Sequence, residues 1–352
     1  MRLTPNNLMT FKFTNDYLLF SRFHPKLMKN LIIILLIILA ANSTAQKFEY
    51  NATFEGIGDN REYFSGKAQS QTILGTRGAF EIGTTIDEHT IRGGLSELYE
   101  FGSTIDFHQP KLTLYYQFHK ETTDFYFGSF PRRDLIDFPL AMLTDTLQYY
   151  RPNIEGMYGE IRWGWGKQNG FVDWVSRQTE IKRENFMAGF SGEIFHKNLF
   201  IQNYLLMFHD AGPAIDIPGD HIKDYLGYAL MGGYKLNEIP EFKAHIKGGL
   251  LTSFFRERSV TGGFITSNSF FGELVMKYKK YGIKSVLHSG QGHHFKYGDR
   301  FYAQDSYWRT DVNWFFINHK NVQARFNLSF HLINGNDLDQ SQQLSIIYLF
   351  NN

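Results

Sequence analysis

The sequence contains no cysteine in 352 residues, which excludes disulfide bonds, thiolate zinc sites and a lipid-modified N-terminal cysteine. Only 9 prolines are present, and no proline- or serine-rich linker divides the chain. An excess of one charge is also missing, because 36 Lys and Arg stand against 35 Asp and Glu. Since a nucleic-acid-binding protein normally shows a basic excess on one face, this balance argues against that class.

A hydrophobic run long enough for a membrane-spanning helix is missing at the N-terminus. The apolar run 31–41 has eleven residues, whereas a spanning helix needs about 20. Lys26 and Lys29 precede the run and the small residues 43–45 follow it, which is the order of a secretory signal peptide rather than of a membrane anchor. We therefore expect a signal peptide over 1–45 with Met28 as an alternative start (28–45 being the signal proper), and a mature chain from Gln46 with 31 basic and 34 acidic residues.

Aromatic residues are abundant, with 34 Phe and 20 Tyr, and they recur in an alternating pattern. Side chains of a β-strand point alternately to its two faces, so alternation of apolar and polar residues predicts a ribbon with one apolar face. The pattern is strongest over 326–350. One face there carries Phe326, Leu328, Phe330 and Leu332, then Leu344, Ile346, Tyr348 and Phe350, and the other carries Asn327, Ser329 and His331, then Gln343 and Ser345.

Repetition of this pattern predicts an all-β fold for 46–352 as one domain. Seventeen candidate strands can be marked, one of which should merge with a neighbour or lie outside the wall, since bacterial barrels use even strand numbers. We expect a transmembrane antiparallel up-and-down β-barrel of about 16 strands (14–18). The candidates are 47–57, 61–73, 77–86, 90–107, 111–119, 122–130, 153–164, 168–178, 184–194, 198–209, 221–236, 241–256, 262–278, 281–292, 300–317, 320–333 and 341–350.

The connections between these strands alternate between short and long, as in a barrel with tight periplasmic turns and long outer loops. A soluble β-sandwich shares the alternation, but its strands average about 5–6 residues, shorter than several of these. One stretch, 135–147, is competent to form a helix. The short connections are 87–89, 108–110, 279–280 and 318–319, and the long ones are 131–152, 210–220 and 293–299.

With its signal peptide, its strand meander and the amphipathic last strand 341–350, the chain resembles the outer-membrane β-barrels of Gram-negative bacteria, in particular porin-like barrels of the Bacteroidota. Such barrels close with a strand that ends in an aromatic residue, here Phe350, which the barrel assembly machinery reads. Asn351 and Asn352 follow that aromatic residue and depart from the pattern. The resemblance implies location in the cell outer membrane and contact with its lipid and its assembly machinery.

The long connection 131–152 is the most distinctive stretch because it mixes apolar and charged residues. An exposed outer loop is normally polar throughout, so we expect this one to fold into the barrel as a constriction, with its arginines facing its aspartates across the lumen. A lid packed on the rim is the alternative. The candidate constriction residues are Arg132, Arg133, Asp134, Asp137, Asp145, Tyr149 and Arg151.

Further charged residues are predicted to face the lumen, because an Arg on the lipid face costs about 2–4 kcal/mol near the bilayer midplane. They are Glu160, Arg162, Asp173, Arg177, Asp299 and Arg309, which form either a solute-contacting wall or a ladder of structural ion pairs.

Three other stretches carry alternative hypotheses. His288, His293 and His294 suggest a metal site only if a loop brings them together. A membrane-embedded hydrolase or acyltransferase would need a nucleophile and a base, for which Ser289 beside those histidines is the best candidate, with Asp299 or Asp305 as orienting acid. The acidic loop 210–224 could bind neutral sugars together with Tyr149, Tyr150, Trp174 and Tyr307.

Taken together, the sequence predicts a porin-like channel for small polar solutes, without a cofactor, a metal or nucleic-acid partners, and with a possible homo-oligomeric state. The alternatives are the membrane-embedded enzyme and a structural or surface-assembly barrel without a pore.

Overall fold

The computed structural model describes residues 47–104, 109–215, 217–236 and 239–351, which belong to one compact unit. Sixteen antiparallel strands form a closed barrel in which each strand pairs with its sequence neighbours and the last pairs with the first. The strands are β1 Lys47–Glu62, β2 Gln71–Ile86, β3 His89–Glu100, β4 Lys111–Lys120, β5 Thr123–Pro131, β6 Asn153–Trp163, β7 Gly166–Ser176, β8 Asn185–His196, β9 Leu199–Asp210, β10 Lys223–Leu236, β11 Phe242–Glu257, β12 Ile265–Tyr278, β13 Tyr281–Gly290, β14 Ser306–Asn318, β15 Val322–Ile333 and β16 Asp337–Asn351.

The alternating pattern sets which side of each strand faces inward. Along β15, Asn327, Ser329 and His331 are buried inside the barrel, whereas Phe326 and Phe330 are exposed on its outer surface. The other strands also alternate, so the outer surface is apolar, whereas the interior combines polar and charged side chains with buried apolar ones such as Met231 and Phe271. This is the inverse of a soluble β-sandwich and the arrangement of a barrel that faces lipid.

The predicted fold and strand number are confirmed, and the surplus candidate strand can be identified. Residues 61–73 do not form a strand of their own, because they contain the end of β1, the connection 63–70 and the start of β2. The candidate 90–107 was too long, since β3 ends at Glu100 and 101–104 are not strand; its last residues, 105–107, lie outside the described part of the chain. A β-sandwich is excluded because the strand order closes on itself.

The two ends of the barrel differ in their connections. At the short-turn end, where β1 begins and β16 finishes, the connections are tight, for example 87–88, 279–280 and 319–321. At the long-loop end, the connections include 132–152, 177–184, 211–222 and 291–305. The predicted short turn 108–110 was assigned to the wrong end, because its described residues belong to the connection 101–110 at the long-loop end.

The connection 334–336 is the exception at the long-loop end, since three residues reverse the chain there. Asn334 and Gly335 both have positive φ, 50° and 74°. An Asn-Gly pair supports this backbone because glycine has no Cβ and asparagine tolerates the left-handed region.

Helical structure is minor in the described part of the chain. It consists of a single α-helical turn, α1 Leu147–Tyr150, and a 3₁₀ turn at Arg300–Ala303. The helix-competent stretch 135–147 is helical only at its last residue, because most of it forms turns and irregular backbone packed inside the barrel. Among the described residues, no helix has both the length and the apolar character needed to cross a bilayer.

Candidate functional site

The connection 131–152, called here the inserted segment, enters the barrel and is tied to the wall by buried ion pairs. Arg132, 3% exposed, forms an ion pair with Asp173 of β7, which is fully buried. The next residue, Arg133, forms an ion pair with Glu55 of β1. β1 and β7 lie six strands apart in the barrel. The ion pairs of these two adjacent arginines therefore join distant parts of the wall across the lumen.

The middle of the inserted segment is held by apolar packing. The Phe138 ring packs edge-on against Phe171 of β7, with ring centroids 5.9 Å apart, and packs at a tilt against Tyr204 of β9, with centroids 5.6 Å apart. Met142 and Ala141 are also buried in this cluster. The apolar residues of the segment therefore find their burial inside the barrel, where an outer loop would have exposed them to water.

A second connection, 291–305, folds inward and meets the inserted segment. The backbone N–H of Thr144 donates to the carbonyl of Tyr297 at 2.6 Å, and the N–H of Asp299 donates to the carbonyl of Leu140 at 2.9 Å. Phe301 and Tyr302 extend the same buried cluster toward β14. The two inward segments together fill much of the lumen at the long-loop end.

Three cavities with shared lining residues lie beside the inserted segment, along the wall formed by β1 to β4 and β16. A cavity of about 250 Å³ at the long-loop end is lined by Lys111 and Tyr150. It shares Arg77 and Pro152 with a second cavity of about 230 Å³. That second cavity shares further lining residues, including Glu55, Arg133, Asp134 and Gln148, with a third of about 280 Å³.

The third cavity reaches the short-turn half of the barrel, where Arg325, Ser345 and Ile347 line it. Residues from both the segment and the wall are therefore common to consecutive cavities. Where the second and third cavities share residues, one carboxylate contacts two arginines, because Arg77 lies 3.5 Å from the same Glu55 that pairs with Arg133. Tyr149 lines the first and the third cavity and has a pKa raised by burial.

The predicted constriction residues lie on the inserted segment, but their partners differ from those expected. The arginines pair with acids of the wall rather than with the segment's own aspartates, since Arg151 also approaches Asp173, at 3.4 Å. Asp145 lies 3.7 Å from Arg61 of β1. Asp134 and Asp137 are exposed. The expectation that the segment's arginines face its own acids was wrong, because folding inward brings the arginines to Glu55 and Asp173 first.

Most of the predicted wall residues face the interior. Glu160 pairs with Arg162 at 2.7 Å, and Arg309 pairs with Asp311 at the same distance. Two assignments to the wall were wrong. Asp299 lies on the inward segment 291–305, where its carboxylate accepts from the N–H of Phe301 at 3.1 Å. Arg177 is exposed beyond the end of β7, since an irregularity between Trp174 and Ser176 ends the regular pairing there.

A buried serine–histidine arrangement was missed from the sequence. The ring of His293 lies between two hydroxyls, with Nδ1 2.7 Å from Ser253 Oγ and Nε2 2.7 Å from Ser269 Oγ. All three side chains face the lumen near the long-loop end and are buried. Burial and the neighbouring His288 and His294 lower the pKa of His293 to about 4, so the ring is neutral at pH 7. A neutral imidazole that bonds a hydroxyl can accept its proton.

The predicted partners of that histidine are not the ones observed. Ser289 is exposed on the outer face of β13, while His288 points inward and bonds the carbonyl of Gln304 at 2.9 Å. The true partners lie 16 residues apart on β11 and β12, and only the register of those strands brings them together. Over the described ranges, no three imidazole or carboxylate side chains converge as a metal site requires.

The sugar-binding hypothesis for loop 210–224 is not supported by the positions of its residues. Asp224 is held by Arg256, Arg258 and His209. Trp174 faces outward and Tyr307 is fully buried, so neither offers a stacking surface beside that loop.

Comparison with family models identifies one family for this chain, and comparison with solved structures identifies one fold. The family model described as "Lipid A 3'-O-deacylase-type" matches residues 41–352. Among curated proteins, none matches the chain.

Several solved structures are similar at low sequence identity. The outer membrane protein opdK from Pseudomonas aeruginosa is 9% identical with a TM-score of 0.52, covering 87% of this chain and 99% of that chain. OprD of the same organism is 8% identical with a TM-score of 0.54, covering 87% and 95%. A loop-deletion mutant of OmpT, an outer membrane protein of Vibrio cholerae, is 9% identical with a TM-score of 0.54, covering 87% and 100%. These likenesses show the fold, a barrel of the outer-membrane type.

Proposed function

The chain belongs to the lipid A 3'-O-deacylase-type family, and we propose that it acts as an outer-membrane channel for small polar solutes. The observation that carries this proposal is the series of three cavities, each sharing residues with the next, that runs past the inserted segment from Lys111 to Arg325. Charged residues and few apolar ones line the route, which suits hydrated solutes. The inserted segment would set the diameter of this route.

We also propose how the protein reaches the outer membrane. Residues 28–45 would direct export, and the barrel assembly machinery would insert the mature chain, with lipid covering the apolar outer face. The channel would be passive and free of cofactors.

Planar-bilayer conductance of refolded 46–352 tests the channel, and a matched pair of tryptophan variants tests its route. Ala79 of β2 lines the second cavity, whereas the adjacent Gly78 faces outward and has open space where a side chain would begin. We expect Ala79→Trp to abolish most of the conductance and Gly78→Trp to leave it unchanged. Removing 132–150 should enlarge the single-channel steps. A membrane-inserted protein without conductance, with or without the segment, would contradict the channel.

A second function is favoured by the family match together with Ser253, His293 and Ser269. In a lipid A deacylase, one serine oxygen would attack an ester carbonyl while His293 takes the serine proton. The ester bond to the sugar oxygen would break, that oxygen would take the proton from His293, and the acyl chain would remain on the serine. Water would then release the fatty acid and regenerate the serine. The other serine would orient the imidazole ring.

Mass spectrometry of lipid A incubated with the purified protein in mixed micelles tests this activity. Deacylation would lower the lipid mass by one acyl chain, and the loss would disappear in Ser253→Ala, Ser269→Ala or His293→Ala. Ser289→Ala is the control, because that hydroxyl faces outward. Unchanged lipid A with an intact, folded barrel would exclude the enzyme and leave the channel.

A further inference from the structure

Six cations line one side of the lumen in its short-turn half, a surface called here the basic half-wall. All lie at inward-facing positions of their strands. They are Lys235 on β10, Lys243 and Lys247 on β11, Lys277 on β12, Lys284 on β13 and Arg325 on β15.

Carboxylates on this surface are too few to balance the cations. Glu193 pairs with Lys235. The single carboxylate of Glu273 lies 3.2 Å from Lys247, 3.0 Å from Lys284 and 3.2 Å from His245. Arg309 and Asp311 on β14 pair with each other and cancel. Six cations therefore stand against two carboxylates, an excess of four positive charges.

Three cations of the basic half-wall form no ion pair within the described part of the chain. Lys243 and Arg325 are exposed to the lumen, and Lys277 lies over the ring of Phe315 at 4.4 Å from its centroid. Arg325 also lines the third cavity beneath the inserted segment. A solute that leaves that cavity toward the short-turn end meets this surface next.

The opposite side, from β1 to β7, has a different charge. Its inward positions in the same half carry Arg92, Arg162 and Lys167 against Glu49, Glu81, Asp124 and Glu160. Every one of these cations is paired, Arg92 with Glu49, Arg162 with Asp124 and Glu160, and Lys167 with Glu160. The field across the lumen is therefore one-sided, positive on β10 to β15.

We propose that the channel selects anions, and that its solutes are small molecules carrying a carboxylate or a phosphate which travel along the basic half-wall. This inference rests on the proposed channel. A one-sided positive surface inside a wall of low dielectric raises the local concentration of anions and repels cations. Cations that already have a carboxylate partner contribute less, so the three unpaired ones carry most of the effect.

The reversal potential of single channels in a KCl gradient tests the proposal. We expect the wild-type barrel to favour chloride over potassium. The triple variant Lys243→Gln, Lys277→Gln, Arg325→Gln should lose most of this preference, with a several-fold fall in the permeability ratio toward one. The control triple Lys279→Gln, Lys280→Gln, Lys320→Gln removes the same charge from the turns at that end and should keep the ratio.

The possible failures point to different conclusions. A conducting wild-type barrel that prefers potassium, or a lumen triple that behaves as the turn triple does, would overturn anion selection and leave the channel in place. Absence of conductance would overturn the channel and this inference with it. Added phosphate or a small dicarboxylate should block chloride current in the wild type and do so more weakly in the lumen triple.

Discussion

The two halves of the lumen are built by different forces. At the long-loop end, the inserted segment and residues 291–305 pack an aromatic and aliphatic cluster around Phe138, Met142 and Phe301. At the short-turn end, the inward-facing side chains include many charged ones, of which Lys243 and Arg325 are exposed and the Lys284 side chain is 38% exposed. Apolar packing is tight and intolerant of change, whereas solvated charges contribute little to stability. The comparison indicates that the pore diameter is set in the long-loop half and the charge selectivity in the short-turn half, so that each can be altered without the other.

The largest difference between the halves should follow from removing one charge of a buried pair. Asp173→Asn leaves Arg132 buried without its carboxylate, and we expect a loss of about 3–5 kcal/mol in the free energy of unfolding. Asp124→Asn in the short-turn half is the control, since its partner Arg162 is partly solvated, and should cost about 1 kcal/mol or less. Urea unfolding in lipid vesicles measures both. Equal losses in the free energy of unfolding for the two variants would contradict this difference between the halves.

The next largest loss in the free energy of unfolding should come from creating a cavity in the packed half. Met142 is fully buried, so Met142→Ala should lower the free energy of unfolding by about 2–5 kcal/mol. Met157 faces outward on β6 and is 44% exposed, so Met157→Ala should cost much less. The same unfolding assay compares them. If Met142→Ala proved as mild as Met157→Ala, the inserted segment would not be packed as described.

The smallest of these effects should be a pH dependence confined to the long-loop half. Burial lowers the pKa of His293 to about 4 from its ordinary 6.5, so the folded state favours the neutral ring. Its contribution is complete above pH 6.5 and is lost as the pH falls toward 4, by up to about 3 kcal/mol. Stability of the wild type minus that of His293→Gln, measured between pH 7.5 and 4, should shrink over this range.

The sequence was sufficient for the features that depend on local pattern. Alternation along each strand predicted the barrel, its inward and outward faces and its strand number, because the period of two is a property of extended backbone. The apolar residues in 131–152 predicted a loop that needs burial. Both predictions use neighbours in the sequence.

The features that were mispredicted depend on register between distant strands. Arg132 and Asp173 are 41 residues apart, and Ser253 meets His293 across 40. Neither spacing carries a periodic signal, so the charges of the inserted segment were wrongly paired with each other and Ser289 was preferred to Ser253. The end of β7 was also missed, because an irregular pairing at Trp174 takes Arg177 out of the wall.

The pairing of β1 with β16 has a consequence for biosynthesis. Twelve residues of β1, from Asn51 to Glu62, pair with twelve of β16, from Gln340 to Asn351, so the seam joins segments almost 300 residues apart. Any chain that lacks β16 has two unpaired strand edges, on β1 and β15, with free backbone donors and acceptors. Lipid cannot satisfy those groups. Insertion must therefore wait for the last strand to be made, and a nascent chain has to be kept from aggregating until then.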